Sequence, residues 1–181
     1  MHLLETSGLT KRFGGLTVMN DLDFSMEEGE IKGFLGPNGA GKSTFFNLIT
    51  GVLTPSSGHI FYAGKEITKS RPHQVAKMGI GRTFQLNPLF GEFTVIENVT
   101  AAYHLRPHST VPQIFFNTKT YRTNEAYIAK SADEILEFLG LQHMRNELAK
   151  NLPHGYQKIL GVARALATKP KLLLLDEPLG G

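Results

Sequence analysis

Gly36-Pro37-Asn38-Gly39-Ala40-Gly41-Lys42-Ser43-Thr44 has the order G-x-x-x-x-G-K-[ST], in which each residue type has a task. Glycines let the backbone curl until several N–H groups face one anion. A helix opening at Lys42 adds the partial positive charge of its N-terminus. The Lys42 ammonium reaches the β- and γ-phosphates, and Ser43 supplies a hydroxyl for Mg²⁺. The spacing therefore implies a nucleoside triphosphate held by residues 36–44. A second group with chemistry lies far downstream. Asp176-Glu177 follows the apolar run Lys171-Leu172-Leu173-Leu174-Leu175. At the carboxyl end of a buried strand, Asp176 is placed to hold Mg²⁺ and Glu177 to polarise an attacking water.

The flanking segments must position these groups. Residues 31–35 read as a short strand entering the loop, and residues 42–50 as a helix stopped by Gly51. Residues 3–9, 17–26 and 59–62 read as further strands, with Glu28-Gly29-Glu30 as a turn. A helix is expected over 71–78, with Ser70 as N-cap and Gly79 as its stop. Thr94-Val95-Ile96-Glu97 is a capping box opening a helix to about residue 105. From 106 to 123 the periodicity fails, and Ile114-Phe115-Phe116 is expected to pack against the domain. Residues 125–139 form an amphipathic helix with Ala129, Ile135, Leu136 and Leu139 near one face and Gly140 as its stop. Residues 156–168 form another helix, and 171–175 a strand buried on both faces. The fold class is α/β: a core of mostly parallel strands flanked by helices, an antiparallel strand subdomain near the N-terminus, and a helical subdomain over about 94–151.

With 181 residues the chain is sized for one domain. The formal charge of +3, without long runs of either sign, gives no argument for nucleic acid. The absence of cysteine excludes disulfides and thiolate metal sites. No signal peptide is legible at the start, and no apolar run approaches the ~18 residues of a membrane span.

Between the two chemical groups lies Leu152-Pro153-His154-Gly155-Tyr156-Gln157-Lys158. With it, the chain resembles an ATP-binding cassette subunit of a membrane transporter, whose signature usually reads L-S-G-G-Q followed by a polar and a basic residue. Leu152, Gly155, Gln157 and Lys158 keep that pattern; Pro153, His154 and Tyr156 depart from it. Loss of the usual serine removes one γ-phosphate ligand and leaves the helix N-terminus and the Gly155 backbone. Gln85, in Arg82-Thr83-Phe84-Gln85, matches the glutamine loop that contacts Mg²⁺ or water and faces the membrane subunit. Phe13 matches the aromatic residue that stacks on adenine. Within the family, Phe13-Gly14-Gly15-Leu16, the Arg82-Thr83-Phe84-Gln85 loop, Pro153 and the 106–123 insert most resemble the ATPase subunit of branched-chain amino-acid importers.

The resemblance implies ATP and Mg²⁺ as cofactors, and a P-loop NTPase with a RecA-like core. It also implies two subunits facing head to tail, each ATP lying between the 36–44 loop of one and the 152–158 segment of the other. Transmembrane permease subunits would be direct partners and a periplasmic or extracellular binding protein an indirect one. The location would be the cytoplasmic face of the cell membrane. A soluble ATPase of the same superfamily acting on ribosomes or nucleic acid is the rival within the family. A nucleotide-binding module without turnover is another. The family's switch histidine has no counterpart, since all seven histidines precede Asp176. The 181 residues alone are therefore expected to bind ATP without sustaining turnover.

Overall fold

The computed structural model describes residues 2–37, 39–83, 89–104 and 110–176, which fall into two units, Met1–Ile80 and Gly81–Gly181. In the first unit, β1 (Leu4–Phe13) pairs antiparallel with β2 (Leu16–Met26) on one side and β3 (Ser57–Tyr62) on the other. The short β4 (Lys65–Glu66) completes the order β2-β1-β3-β4. Leu4 and Thr6 are buried while Glu5 and Ser7 are exposed, the period of two that a half-covered strand requires. The register then shifts between Thr6 and Leu9, where Gly8 has φ +58°. Gly58 opposite it has φ +86°, and a Cβ there would stand 2.3 Å from the Gly8 carbonyl oxygen, so only glycine fits. Helix α1 (Lys42–Ile49) contributes Phe45, Leu48 and Ile49 to this unit's core, and α2 (Pro72–Lys77) contributes Val75.

Two expectations in this unit need correction. Residues 31–35 pair with no strand among the described residues; Ile31 and Leu35 are 97% and 96% exposed. An apolar stretch becomes a strand only when a neighbour offers a ladder, and neither described sheet includes this one. The segment is instead held through Phe34, whose ring stacks on Phe45 at 4.4 Å and meets Phe24 at 5.2 Å. The N-cap of α2 is Arg71, not Ser70. Its N–H donates to Gln74 Oε1 at 2.8 Å, and Pro72 fills the first helical position, where a missing N–H costs nothing.

In the second unit, β5 (Ile80–Arg82), which begins at the unit boundary, pairs with β6 (Leu172–Leu174). Where a core of several mostly parallel strands is expected, the described residues form this two-strand sheet. Leu172 and Leu174 are buried, but Leu173 is half-buried and Leu175 exposed, so burial alternates along the run. Helices α3 (Val95–Tyr103), α5 (Lys119–Phe138) and α6 (His154–Ala167) enclose a core of Val95, Val99, Ile128, Leu136, Leu160 and their neighbours. The Thr94 capping box forms as expected: Thr94 Oγ1 accepts from Glu97 N at 3.3 Å, and Glu97 Oε2 accepts from Thr94 N at 2.7 Å. That backbone bond holds the Glu97 carboxyl below the usual glutamate range.

The 106–123 insert is more ordered than its composition suggests. Residues 105–109 lie outside the described residues, but α4 (Val111–Phe115) follows, and α5 begins at Lys119 rather than near 125. Thr118 caps α5, accepting from Tyr121 N at 3.3 Å. Ile114, Phe115 and Phe116 are exposed, against the expectation that they pack on the domain. No residue of α4 is buried. On α5 the buried stripe is Ile128, Ala132 and Leu136, with Ala129 turned out.

Candidate functional site

The phosphate loop is built by its glycines and by the sheet beneath it. Gly41 is the N-cap of α1 with φ +87°, and a Cβ on it would lie 3.1 Å from the Val18 carbonyl oxygen of β2. Gly39 shares that backbone conformation, and Ala40 N donates to Pro37 O at 3.1 Å. The first helical bond of α1 runs from Phe45 N to Gly41 O at 2.8 Å. The N–H groups of Lys42, Ser43 and Thr44 precede it, with no acid in the first turn and no side-chain cap. Lys42 Nζ lies within the same loop, donating to Gly36 O and, at 3.1 Å, to Pro37 O. Ser43 is exposed. Converging N–H donors, a helix N-terminus and an ammonium with no competing acid fit a polyphosphate. Phe13, at the end of β1, is half exposed, and Lys11 Nζ sits 5.0 Å from its ring centroid. The ring therefore presents a π-face rather than serving as core filler. Asn38 lies outside the described residues.

Asp176 follows β6 and is nearly buried. Its Oδ2 accepts from Arg82 Nη2 at 3.0 Å, with the two side chains 6% and 7% exposed. Its N–H donates to Thr83 Oγ1 at 3.1 Å, while Thr83 N donates to Leu174 O at 3.0 Å. Arg82, the last residue of β5, and Thr83 after it thus grip the end of β6 through three bonds. This carboxylate is fixed in place, and the bond to Arg82 uses one of its oxygens. A hard oxygen donor held this way suits Mg²⁺. Gln85 and Glu177 lie outside the described residues.

The signature segment opens α6. Leu152 is buried in the helical core, Pro153 is the N-cap, and Gln157 bonds back to Leu152 O at 2.9 Å through Nε2 and to Pro153 O through its N–H. Tyr156 meets His143 edge-to-face with centroids 5.8 Å apart. Pro153, His154 and Gly155 are left exposed, and a Cβ on Gly155 would meet nothing within 4 Å. The first turn of α6 carries no acid and no side-chain cap, so its N-terminus faces outward as an anion-attracting end. Leu152, Tyr156 and Gln157 fix that end in place; the exposed trio presents it.

Sequence reading did not find the parts played by Arg82, Thr83 and Asn98. Asn98 is fully buried: its amide N donates to Phe90 O and Thr94 O at 3.0 Å and to Phe93 O at 3.3 Å. Its carbonyl accepts from Phe90 N at 3.0 Å. Arg164 Cζ lies 5.0 Å over the Phe90 ring, and burial lowers the guanidinium's pKa. The segment leaving residue 89 is thereby stapled to α3. A polar residue on the Val95-Val99-Ala102 face was the available signal for Asn98. Arg82 offered none, because its partner is 94 residues away.

A glycine loop opening a helix under an antiparallel sheet, with a strand-end aspartate and a helical subdomain opened by a signature turn, defines an ATP-binding cassette of the P-loop NTPase class. The chain belongs to the ABC transporter family, whose model matches residues 19–180. Members of this family bind and hydrolyse ATP. Over 179 residues it is 40% identical to the high-affinity branched-chain amino acid transport ATP-binding protein BraF of Pseudomonas aeruginosa, covering 99% of this chain and 70% of that one. A probable branched-chain amino acid transport ATP-binding protein, LivG of Archaeoglobus fulgidus, is 39% identical over 182 residues, covering 100% and 69%. The crystal structure of a nucleotide-free ATP-binding cassette from an ABC transporter superposes with a TM-score of 0.79 at 35% identity, covering 100% of this chain and 71% of that one. No helix among the described residues is long and apolar enough to cross a membrane.

Proposed function

We propose that this chain binds ATP with Mg²⁺ and energises a branched-chain amino-acid importer from the cytoplasmic face of the membrane. Permease subunits and a second ATPase subunit would be its partners, and a solute-binding protein would act through the permease. The observation that carries the nucleotide reading is the loop at α1, where an N-cap glycine with φ +87°, an acid-free first turn and the Lys42 ammonium converge. The solute follows from the relatives, which are branched-chain amino acid transport proteins by name. The same relatives favour transport over an ATPase acting on ribosomes or nucleic acid.

In this reading the N–H groups of residues 42–44 and the Lys42 ammonium orient the β- and γ-phosphates. Phe13 stacks on the adenine through its exposed face. Ser43, Asp176 and Gln85 are the residues that would hold Mg²⁺, and Arg82 and Thr83 hold the end of β6 that carries the Asp176 carboxylate. When bound, the ion offsets charge that develops on the phosphate oxygens. Glu177 accepts a proton from the attacking water. The exposed Pro153, His154 and Gly155 of one subunit present the α6 N-terminus to the γ-phosphate held by the other.

Titration with a fluorescent ATP analogue tests the nucleotide reading. Lys42→Ala should weaken binding by at least roughly tenfold, since charge-assisted bonds to phosphate are among the stronger polar contacts. The far-UV circular dichroism should not change, because among the described residues Lys42 Nζ bonds only to carbonyls of the loop. Equal affinity in parent and variant would remove residues 36–44 as the phosphate site.

A further inference from the structure

Helix α4 presents apolar side chains to solvent. Val111 is 79%, Phe115 81% and Phe116 74% exposed, and Ile114 is half exposed. Pro112 and the Thr110 cap, whose N–H donates to Gln113 Oε1 at 2.8 Å, start the helix. The chain then turns sharply at Asn117, with φ +45°, and Thr118 N donates to Gln113 O at 3.1 Å. That turn keeps the first turn of α5 beside the apolar tip.

In sequence, the stretch that holds the tip is free of acids, and the first acid after it, Glu125, lies 3.9 Å from His104. Residues 98–124 contain no Asp or Glu, while His104, Arg106, His108, Lys119 and Arg122 fall within them. Lys119 and Arg122 are exposed and make no ion pair among the described residues. Both sit in the first turn of a 20-residue helix that carries no acid there. Helix electrostatics favour acids at that end, so cations placed there cost stability unless an external anion offsets them. Exposed aromatic and aliphatic side chains bordered by lysine and arginine match what inserts into a headgroup boundary, with the rings below and the cations at the phosphates.

We propose that α4 and the first turn of α5 form an interfacial anchor for a bilayer surface rich in anionic phospholipid. Phe115, Phe116, Val111 and Ile114 enter the headgroup–acyl boundary, and Lys119 and Arg122 pair with lipid phosphates. The anchor is independent of the nucleotide site and would hold the chain against the membrane without any membrane-spanning segment.

The chain contains no tryptophan, so Phe115→Trp gives a single-site probe at an exposed position. Its emission is recorded with vesicles of phosphatidylcholine alone and of equal parts phosphatidylcholine and phosphatidylglycerol, alongside co-sedimentation of the parent chain. The expected result is a blue shift and co-sedimentation with the anionic vesicles, both weakened by added salt. Lys119→Glu with Arg122→Glu should lower the partition coefficient at least roughly twentyfold, from about fivefold per basic residue. Phe116→Ser, at a position 74% exposed whose ring meets only that of Phe115 among the described ring contacts, should lower it as well. Unshifted emission together with no parent co-sedimentation overturns the proposal, as does undiminished binding by the charge-reversed variant. Vesicle binding seen only when permease subunits are present would assign the surface to a protein partner and overturn it too.

Discussion

Arg82→Met tests whether the Asp176 carboxylate is held by a cation from the β5 end. At 3.0 Å and an effective dielectric constant of about 20, the two charges attract by about 5.5 kcal/mol. Desolvation offsets part of this, because the side chains are only 7% and 6% exposed. What remains on removing one partner is the cost of an uncompensated buried charge, about 3–5 kcal/mol. For a chain of this size that corresponds to a midpoint lowered by about 6–20 °C. The assay is urea denaturation followed by far-UV circular dichroism, with Arg82→Met, Asp176→Asn and the double variant run together. Removing both charges leaves no uncompensated charge, so the double variant should be more stable than the two single losses sum to, by at least about 2 kcal/mol. A loss below about 1 kcal/mol for Arg82→Met, or simple additivity, would refute the claim that this pair fixes the carboxylate.

Phe13→Ala should weaken ATP and GTP alike, because stacking reads a π-face and not a hydrogen-bond pattern; competition titrations with both nucleotides check it, and unchanged affinity for either makes Phe13 a packing residue. Thr94→Ala should cost about 1 kcal/mol of unfolding free energy at neutral pH, the usual value of an N-cap. The acid limb follows from Glu97, whose folded pKa lies below its unfolded one because Thr94 N–H donates to it. Its stabilisation is present above the unfolded value and is lost as pH falls through the folded one. Glu97→Gln should therefore narrow the stability difference between neutral and acid denaturation curves, and an identical difference in parent and variant would reject the linkage. Asn98→Ala should destabilise the chain by about 1–3 kcal/mol, since it strands buried carbonyls and an amide; denaturation curves overlying the parent's would show the staple to be idle.

Legibility in the sequence tracked the range of the interaction involved. The loop at residues 36–44, the Thr94 box and α6 are local: their glycines, caps and periodicity act within a few residues, and they stand where their chemistry placed them. Strands β1 and β2, expected over 3–9 and 17–26, run to Phe13 and from Leu16, where their hairpin closes. The segment 31–35 misled because its residues favour a strand while its neighbour, which only tertiary structure can supply, is not among the described strands. Ile114-Phe115-Phe116 misled in the opposite way, since apolar character alone does not say whether a partner lies within the chain. Breaker residues hid α4 and the start of α5, where Pro112 and Asn117 punctuate short helical turns that composition reads as loop. The Arg82–Asp176 bond could not be read at all, because no spacing rule connects residues 94 apart.

The two ends of the segment that contains Gln85 are clamped to different parts of the second unit. On one side, Thr83 is bonded both to Leu174 and to Asp176; on the other, Phe90 is bonded twice to Asn98 of α3. Thr83 therefore moves with the end of β6, and Phe90 moves with α3. In mechanical terms each is a pinned joint: a displacement of Asp176 is carried to Thr83 through the bond to its hydroxyl, and a displacement of α3 is carried to Phe90 through Asn98.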